Sequence, residues 1–230
     1  MIVGMRLQKI MGITVVLALL TAVAAGLSVL NARTSGATWV MISRFVEAFL
    51  LVGLGLPVAR ESQLEGSLFV GFDDWTFTLR DIINYGVLPG LVLGLINYFF
   101  FFTYRYSPGV ESKIRDIHSV YDSFIVSLDS GASEEILFRL FILSCFLFCF
   151  RQLYSRLARV WPGVVAILPK VLAVVLSSLL FAMVHNIYGF TAAFFGGVLL
   201  GLIYMQSGIE SAIAAHFFAN FLFFSASYLS

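Results

Sequence analysis

Charged and polar residues occur at three places inside otherwise apolar stretches of the chain. In chain order they are Glu134-Glu135-Ile-Leu-Phe-Arg139, Phe181-Ala-Met-Val-His185 and His216-Phe-Phe-Ala-Asn220. An ionisable residue inside a bilayer helix costs about 2.5–3.5 kcal/mol on insertion scales, so such residues face a protein interior or a wet cavity. The three motifs are therefore the first candidates for a functional site.

The residue types in these motifs suit hydrolysis of a peptide bond. A carboxylate beside an imidazole can hold a water molecule and deprotonate it, and a second histidine with an asparagine can stabilise an oxyanion. Each motif taken alone also fits a structural role, because a membrane histidine often bonds a neighbouring helix. The occurrence of all three in one part of the chain favours catalysis.

Helical spacing divides the first motif into two parts. Glu135 and Arg139 are four residues apart with the glutamate N-terminal, which is the favourable order for a helical ion pair. Glu134 is rotated by about 100° from its neighbour on a helix and is free to face a cavity. The spacing therefore predicts a supporting ion pair and one carboxylate available for chemistry.

The spacing also predicts that the motifs meet at a similar depth in a membrane. Glu134 lies near the start of the fourth predicted span and His185 at the end of the fifth, so both are on the same side. His216 lies about 12 Å into the seventh span, and Asn220 is one turn closer to that side. Phe181 shares a helix face with His185 and can form the floor of the cavity.

A metal site is an alternative use of the same residues. Glu134, His185 and His216 are a ligand set of the kind that zinc uses in hydrolytic sites. The sequence lacks the His-Glu-x-x-His pattern of many zinc proteases. The motifs require no cofactor, and a divalent metal such as zinc at these three residues stays open.

Composition places the chain among membrane proteins. Of its 230 residues 60% are hydrophobic and 12% are charged, and the mean hydropathy is +0.96. A net charge of +1 argues against a nucleic-acid partner. Cys145 and Cys149 lie four residues apart in an apolar run, which indicates packing and not a disulfide framework.

The apolar runs predict an all-α, polytopic transmembrane helical bundle of about seven spans, with the last four carrying the site. The predicted spans are 10–30, 37–58, 82–104, 132–150, 164–185, 189–206 and 208–228. Ser133 is expected to cap the start of the fourth. The first resembles a signal peptide, but its length of about 20 apolar residues favours an uncleaved span.

The connections between spans give further expectations. Residues 59–81 mix aromatic and charged side chains, which indicates a segment at the membrane interface. In the second span Arg44 and Glu47 have the spacing of a structural ion pair. The distribution of Lys and Arg favours a cytoplasmic N terminus in a cell (inner) membrane and a site in the non-cytoplasmic half of the bilayer.

The three motifs resemble those of the CPBP family of CAAX proteases and bacteriocin-processing enzymes, also called the Abi family. The family pattern is Glu-Glu-x-x-x-Arg, then Phe-x-x-x-His, then His-x-x-x-Asn, and the chain matches it at every motif position. The length of the chain fits one membrane-embedded domain over residues 1–230. Residues 1–131 would be variable N-terminal spans and loops, and residues 132–230 the catalytic core.

The resemblance further implies an intramembrane endopeptidase of the glutamic or the metal-dependent type. Glu134 would be the base, and His185 would hold the water. His216 and Asn220 would form the oxyanion site. The supporting pair would be Glu135 and Arg139. The implied partners are the lipid bilayer and a membrane-associated or lipid-anchored protein or peptide substrate, with the oligomeric state open.

Two other kinds of protein remain as alternatives. A non-catalytic immunity or binding protein would retain the cavity without cleaving a substrate, and a small transporter would use the polar residues as a relay. Transporters commonly contain inverted repeats, and no matching half is visible in this sequence. Other intramembrane proteases fit less well, because Gly131-Ala-Ser133-Glu134 lacks the Gly-x-Ser-Gly nucleophile motif and a pair of intramembrane aspartates is missing.

Overall fold

A computed structural model describes residues 2–31, 36–62, 64, 79–104, 114, 117–155, 162–185 and 189–229. Most of the predicted interfacial segment 59–81 and residues 105–113 of the polar connection lie outside this part of the chain. The described residues are helical and contain no strand. Six of their helices are long and apolar enough to cross a membrane, which confirms the predicted all-α transmembrane bundle.

The helices follow the predicted spans closely at most ends. They are α1 (Ile2–Asn31), α2 (Ala37–Glu61), α3 (π-helical over Ile82–Val87 and α-helical over Leu88–Tyr104), α4 (Val120–Ser155), α5 (Pro162–Met183) and α6 (Phe190–Leu229). In α2 the expected pair forms, with Arg44 Nη1 2.9 Å from Glu47 Oε2 on an exposed face.

The last helix, α6, is broken in its middle. Ser207 and Gly208 have non-helical backbone angles, and Gly208 has φ 75° and ψ −179°. Ala192 and Phe224 line the same cavity although they lie on opposite sides of the break. Along a straight helix they would be about 48 Å apart, so the two halves fold back on each other. We call them α6a (before Ser207) and α6b (after Gly208). They correspond to the sixth and seventh predicted spans.

The fourth span begins earlier than the sequence predicts. The helix starts at Val120, where the Ser119 side chain caps it by accepting a hydrogen bond from the Asp122 backbone N–H at 3.0 Å. The predicted start at 132 and the predicted cap Ser133 are both wrong. Ser133 lies within the helix, and its hydroxyl donates to the Asp129 carbonyl at 2.6 Å. The serine hydroxyls in this stretch donate hydrogen bonds to carbonyl oxygens of the preceding turn. This allows a segment rich in polar residues to be helical.

The middle of α4 widens into a π-helix over Ile136–Leu143, directly after Glu135. Such turns carry an extra residue and occur frequently at functional sites. The widened turn includes Arg139 and places Leu140 and Leu143 in the main core. That core draws buried side chains from α1, α2, α4, α5 and both halves of α6.

The third helix lies unusually close to α6b. A Cβ atom added to Gly90 would lie 2.5 Å from the Ala215 carbonyl oxygen, and one added to Gly94 would lie 2.8 Å from the Ala219 carbonyl oxygen. Gly86, one turn earlier, faces Ser211 in the same way. Small residues at four-residue intervals let membrane helices pack backbone to backbone, so α3 forms a wall beside the helix that carries His216.

Candidate active site

The three motifs meet at one cavity between α3, α4, α5 and α6. The cavity has a volume of about 180 Å³, and Glu134, His185, His216 and Asn220 all line it, with Phe181 beside them. Phe181 lies on α5, His185 directly after its end, His216 and Asn220 on α6b, and Glu134 on the long α4. Glu135 and Arg139 do not line the cavity and are completely buried behind it.

His216 lies between the two glutamates. Its Nδ1 is 2.8 Å from Glu135 Oε1, a hydrogen bond, and its Nε2 is 3.8 Å from Glu134 Oε2. The first contact fixes the ring, because a carboxylate accepts the proton of Nδ1 and leaves Nε2 pointing at the cavity. The second distance is too long for a direct hydrogen bond. His216 Nε2 and Glu134 Oε2 are therefore neighbours without a bond between them, and both residues line the cavity.

Glu135 and Arg139 form the ion pair that the spacing predicts. Arg139 Nε lies 3.2 Å from Glu135 Oε2, and both side chains are 0% exposed. The guanidinium also lies under the Phe181 ring, with Cζ 4.4 Å from the ring centroid. Removing one partner of such a pair leaves a buried charge that nothing compensates. Glu135 therefore holds Arg139 with one oxygen and His216 with the other.

His185 follows the last turn of α5. Its Nδ1 is 2.8 Å from the Phe181 carbonyl oxygen, and its ring lies 4.6 Å from the Phe181 ring between centroids. With Nδ1 donating to the carbonyl, Nε2 is the nitrogen that remains for the cavity. Phe181 thus contacts both His185 and, edge to face at 6.0 Å, His216.

Asn220 is held by a residue that sequence reasoning missed. Its side-chain N–H donates to Ser130 Oγ at 2.9 Å, and the Ser130 hydroxyl in turn donates to the Ser127 carbonyl at 3.4 Å. Ser130 also lines the cavity, one helical turn before Glu134. The i, i+4 spacing of Ser130 and Glu134 was visible in the sequence, but the predicted helix start at 132 excluded it.

The third helix also contributes to the cavity, through Leu93 and Asn97. Sequence reasoning assigned no role to this helix. Two signals were present: an asparagine within a strongly apolar span, and glycines at four-residue intervals just before it.

The zinc alternative meets a geometric difficulty. Across the described ranges, no group of three or more His, Cys, Asp or Glu side chains is arranged to hold a metal ion. Glu134, His185 and His216 share the cavity, and because Nδ1 of each histidine is bonded to protein, Nε2 is the one ligand atom that each offers. The residues as arranged do not fit a metal, and a zinc-dependent reaction stays a prediction.

The fold and the cavity together define a polytopic membrane protein with a glutamate–histidine–asparagine site. Residues 116–222 match the family model described as Type II CAAX prenyl endopeptidase Rce1-like. This match to the CPBP/CAAX protease family, over a little under half of the chain, confirms the resemblance that the three motifs predict. No curated protein and no solved structure gives a significant match.

The matched range runs from just before α4 into α6b and contains every motif residue. Helices α1, α2 and α3 lie outside it, although α3 lines the cavity. The predicted division at residue 132 stays a prediction, and the family match begins sixteen residues before it.

Proposed function

We propose that the protein is an intramembrane endopeptidase of the glutamic type that cleaves a peptide bond of a membrane-associated or lipid-anchored substrate. One observation carries the proposal: Glu134 Oε2 and His216 Nε2 stand 3.8 Å apart at the wall of one cavity. The Glu134 side chain is 29% exposed and lines this cavity, so its carboxylate can contact a water molecule there. The family match supports the same class of reaction.

In the proposed reaction Glu134 is the general base. Its Oε2 is buried and makes no hydrogen bond to any described residue, and the exposed part of the carboxylate side chain is what meets water in the cavity. His185 presents Nε2 to the cavity and holds this water. The hydroxide formed attacks the carbonyl carbon of the scissile bond, and the proton on Glu134 then passes to the leaving amine as the carbon–nitrogen bond breaks.

His216 and Asn220 stabilise the oxyanion in this scheme. In the doubly protonated form of His216, Nδ1 donates to Glu135 and the Nε2 proton points at the position where charge develops. Asn220 has a second side-chain N–H besides the one bonded to Ser130. Donors fixed before the reaction are worth about 10²–10³ in rate each, because they need no reorganisation in the transition state.

Glu135, Arg139 and Ser130 act through these groups. Glu135 fixes the His216 ring, Arg139 balances the charge of Glu135, and Ser130 fixes the Asn220 amide. We further propose that the protein resides in the cell (inner) membrane with a cytoplasmic N terminus, following the Lys and Arg distribution.

A Glu134→Gln variant tests the function. The purified protein, reconstituted in liposomes, is mixed with a farnesylated peptide ending in a CAAX sequence, and the released C-terminal fragment is measured by mass spectrometry. Because glutamine has the same shape but cannot take the proton, cleavage should fall by about 10²–10⁴-fold. Glu47→Gln, on the exposed face of α2, is the matched control and should cleave normally.

Substrates other than the test peptide are found by comparing the C-terminal peptides of membrane-anchored proteins between wild-type and Glu134→Gln strains. Unchanged proteolysis by the Glu134→Gln protein would refute the assignment of the base. Protection or transport that survives the substitution would instead indicate a non-catalytic binding protein or a transporter.

A further inference from the structure

Asn97 is a polar side chain on the cavity wall that no motif includes. It lies on α3, outside the residues that match the family model, and only it and Leu93 represent this helix in the cavity. Asn97 is half-buried, and among the described residues its amide has no hydrogen-bond partner. An asparagine in an apolar span ordinarily bonds a neighbouring helix, so an unpaired one facing a cavity indicates a ligand.

The packing of α3 fixes the depth of Asn97. Gly90 faces Ala215 and Gly94 faces Ala219, so α3 and α6b run parallel and in step. The same pairing, extended by three residues along both helices, places Asn97 beside residues 222–223. This position is about seven residues beyond His216. Seven helical residues span about 10 Å. An extended chain covers about 3.3 Å per residue, so this distance equals three residues of a substrate.

Between the depths of His216 and Asn97, the cavity wall contains both polar and apolar side chains. Ser130 and Asn220 bond each other one turn from the reactive pair, and Phe223 and Val126 supply apolar surface further along. A peptide lying here has backbone N–H and C=O groups that leave water, and each costs free energy unless it finds a partner. The Asn97 amide offers N–H donors and a C=O acceptor side by side, which match the backbone C=O and N–H of a single residue in an extended chain.

We propose that Asn97 binds the backbone of the substrate about three residues from the scissile bond. The substrate lies extended along the cavity, with its reactive carbonyl beside Glu134 and His216 and the backbone N–H and C=O of a more distant residue on Asn97. This subsite rests on the proposed endopeptidase function, and α3 thereby takes part in substrate selection although it lies outside the matched residues.

The first test is kinetic and uses the farnesylated CAAX peptide. Asn97→Leu keeps the side-chain size and suits an apolar span, so the protein should fold with an unchanged melting temperature. Because the lost hydrogen bonds exist in both ground state and transition state, KM should rise about ten-fold while kcat stays within about two-fold. Ile96→Ala, on the lipid-facing side of α3, is the control and should alter neither.

The second test measures contact without cleavage. In a Glu134→Gln protein with Cys145→Ser and Cys149→Ser, an Asn97→Cys substitution provides the only thiol. Farnesylated peptides with one additional cysteine at successive positions on either side of the scissile bond are added under mild oxidation. Disulfide formation should peak at the third residue from the scissile bond.

The two tests separate failure of this subsite from failure of the proposed function. If the wild-type protein cleaves the peptide but KM is unchanged in Asn97→Leu, the subsite is refuted. A cross-link that peaks next to the scissile bond, or is absent, also refutes it. If the wild-type protein does not cleave the peptide yet the cross-link peaks at the third residue, the subsite stands and the assigned chemistry falls.

Discussion

Glu135 and His216 are in direct contact, with Oε1 2.8 Å from Nδ1, although 81 residues separate them in the chain. This hydrogen bond joins α4 to α6b at the wall of the cavity. The other Glu135 oxygen pairs with Arg139. One buried carboxylate thus fixes both the ring that faces Glu134 and the cation behind it, and this contact links the first motif to the third.

We expect Glu135→Gln to destabilise the protein and reduce its activity. The substitution leaves Arg139 as a buried, uncompensated charge, and breaking such a pair costs about 3–5 kcal/mol. Thermal unfolding in detergent should show a clearly lower midpoint. The matched control is Glu47→Gln, whose exposed pair with Arg44 contributes about 0–1 kcal/mol. Equal midpoints for the two variants would contradict the role given to Glu135.

Ser130→Ala should slow catalysis with little change in substrate binding. Without the Ser130 hydroxyl the Asn220 amide can rotate, and the loss of a positioned oxyanion donor costs up to about 10²-fold in kcat. KM should stay near its wild-type value, and Ser130→Thr, which restores a hydroxyl, should recover part of the rate.

Ser133→Ala is the control for that measurement, because Ser133 lies on the same helix and bonds only a backbone carbonyl. A fall in kcat of the same size in both variants would show that the effect belongs to α4 as a whole and not to Asn220.

Gly208→Ala should destabilise the protein through its backbone. Gly208 has φ 75° and ψ −179°, a region that residues with a side chain rarely occupy. Forcing alanine into it costs about 1–3 kcal/mol and strains the junction that folds α6a back on α6b. Gly12→Ala, where an added Cβ meets nothing within 4 Å, should leave the melting temperature unchanged or raise it. A melting temperature of Gly208→Ala equal to that of the wild type would contradict this prediction.

Cysteine labelling tests the orientation in the membrane. In a protein lacking Cys145 and Cys149, single substitutions His118→Cys and Ser155→Cys place thiols at exposed positions near opposite ends of α4. An impermeant maleimide added to intact cells should label position 118 and should reach position 155 only after permeabilisation. The reverse pattern would place the N terminus outside the cytoplasm.

Some features of this protein are local in the sequence and were predictable from it. The spans follow from runs of apolar residues, because the cost of burying charge in lipid acts residue by residue. The Glu135–Arg139 pair follows from helical spacing, because neighbours one turn apart meet in any helix. The motifs identify the family, and the family model confirms it over residues 116–222.

Other features depend on which distant segments touch, and only the tertiary structure decided them. The start of α4 at Val120 is an exception, because it depends on local contacts: Ser119 as the cap and serine hydroxyls satisfied within the helix. The hydrogen bonds from Glu135 to His216 and from Asn220 to Ser130 join helices far apart in the chain. The close approach of α3 through Gly90 brings Asn97 to the cavity. The periodicity and composition of the sequence indicate whether a residue faces lipid or protein. Its hydrogen-bond partners on other helices are set by the packing between those helices.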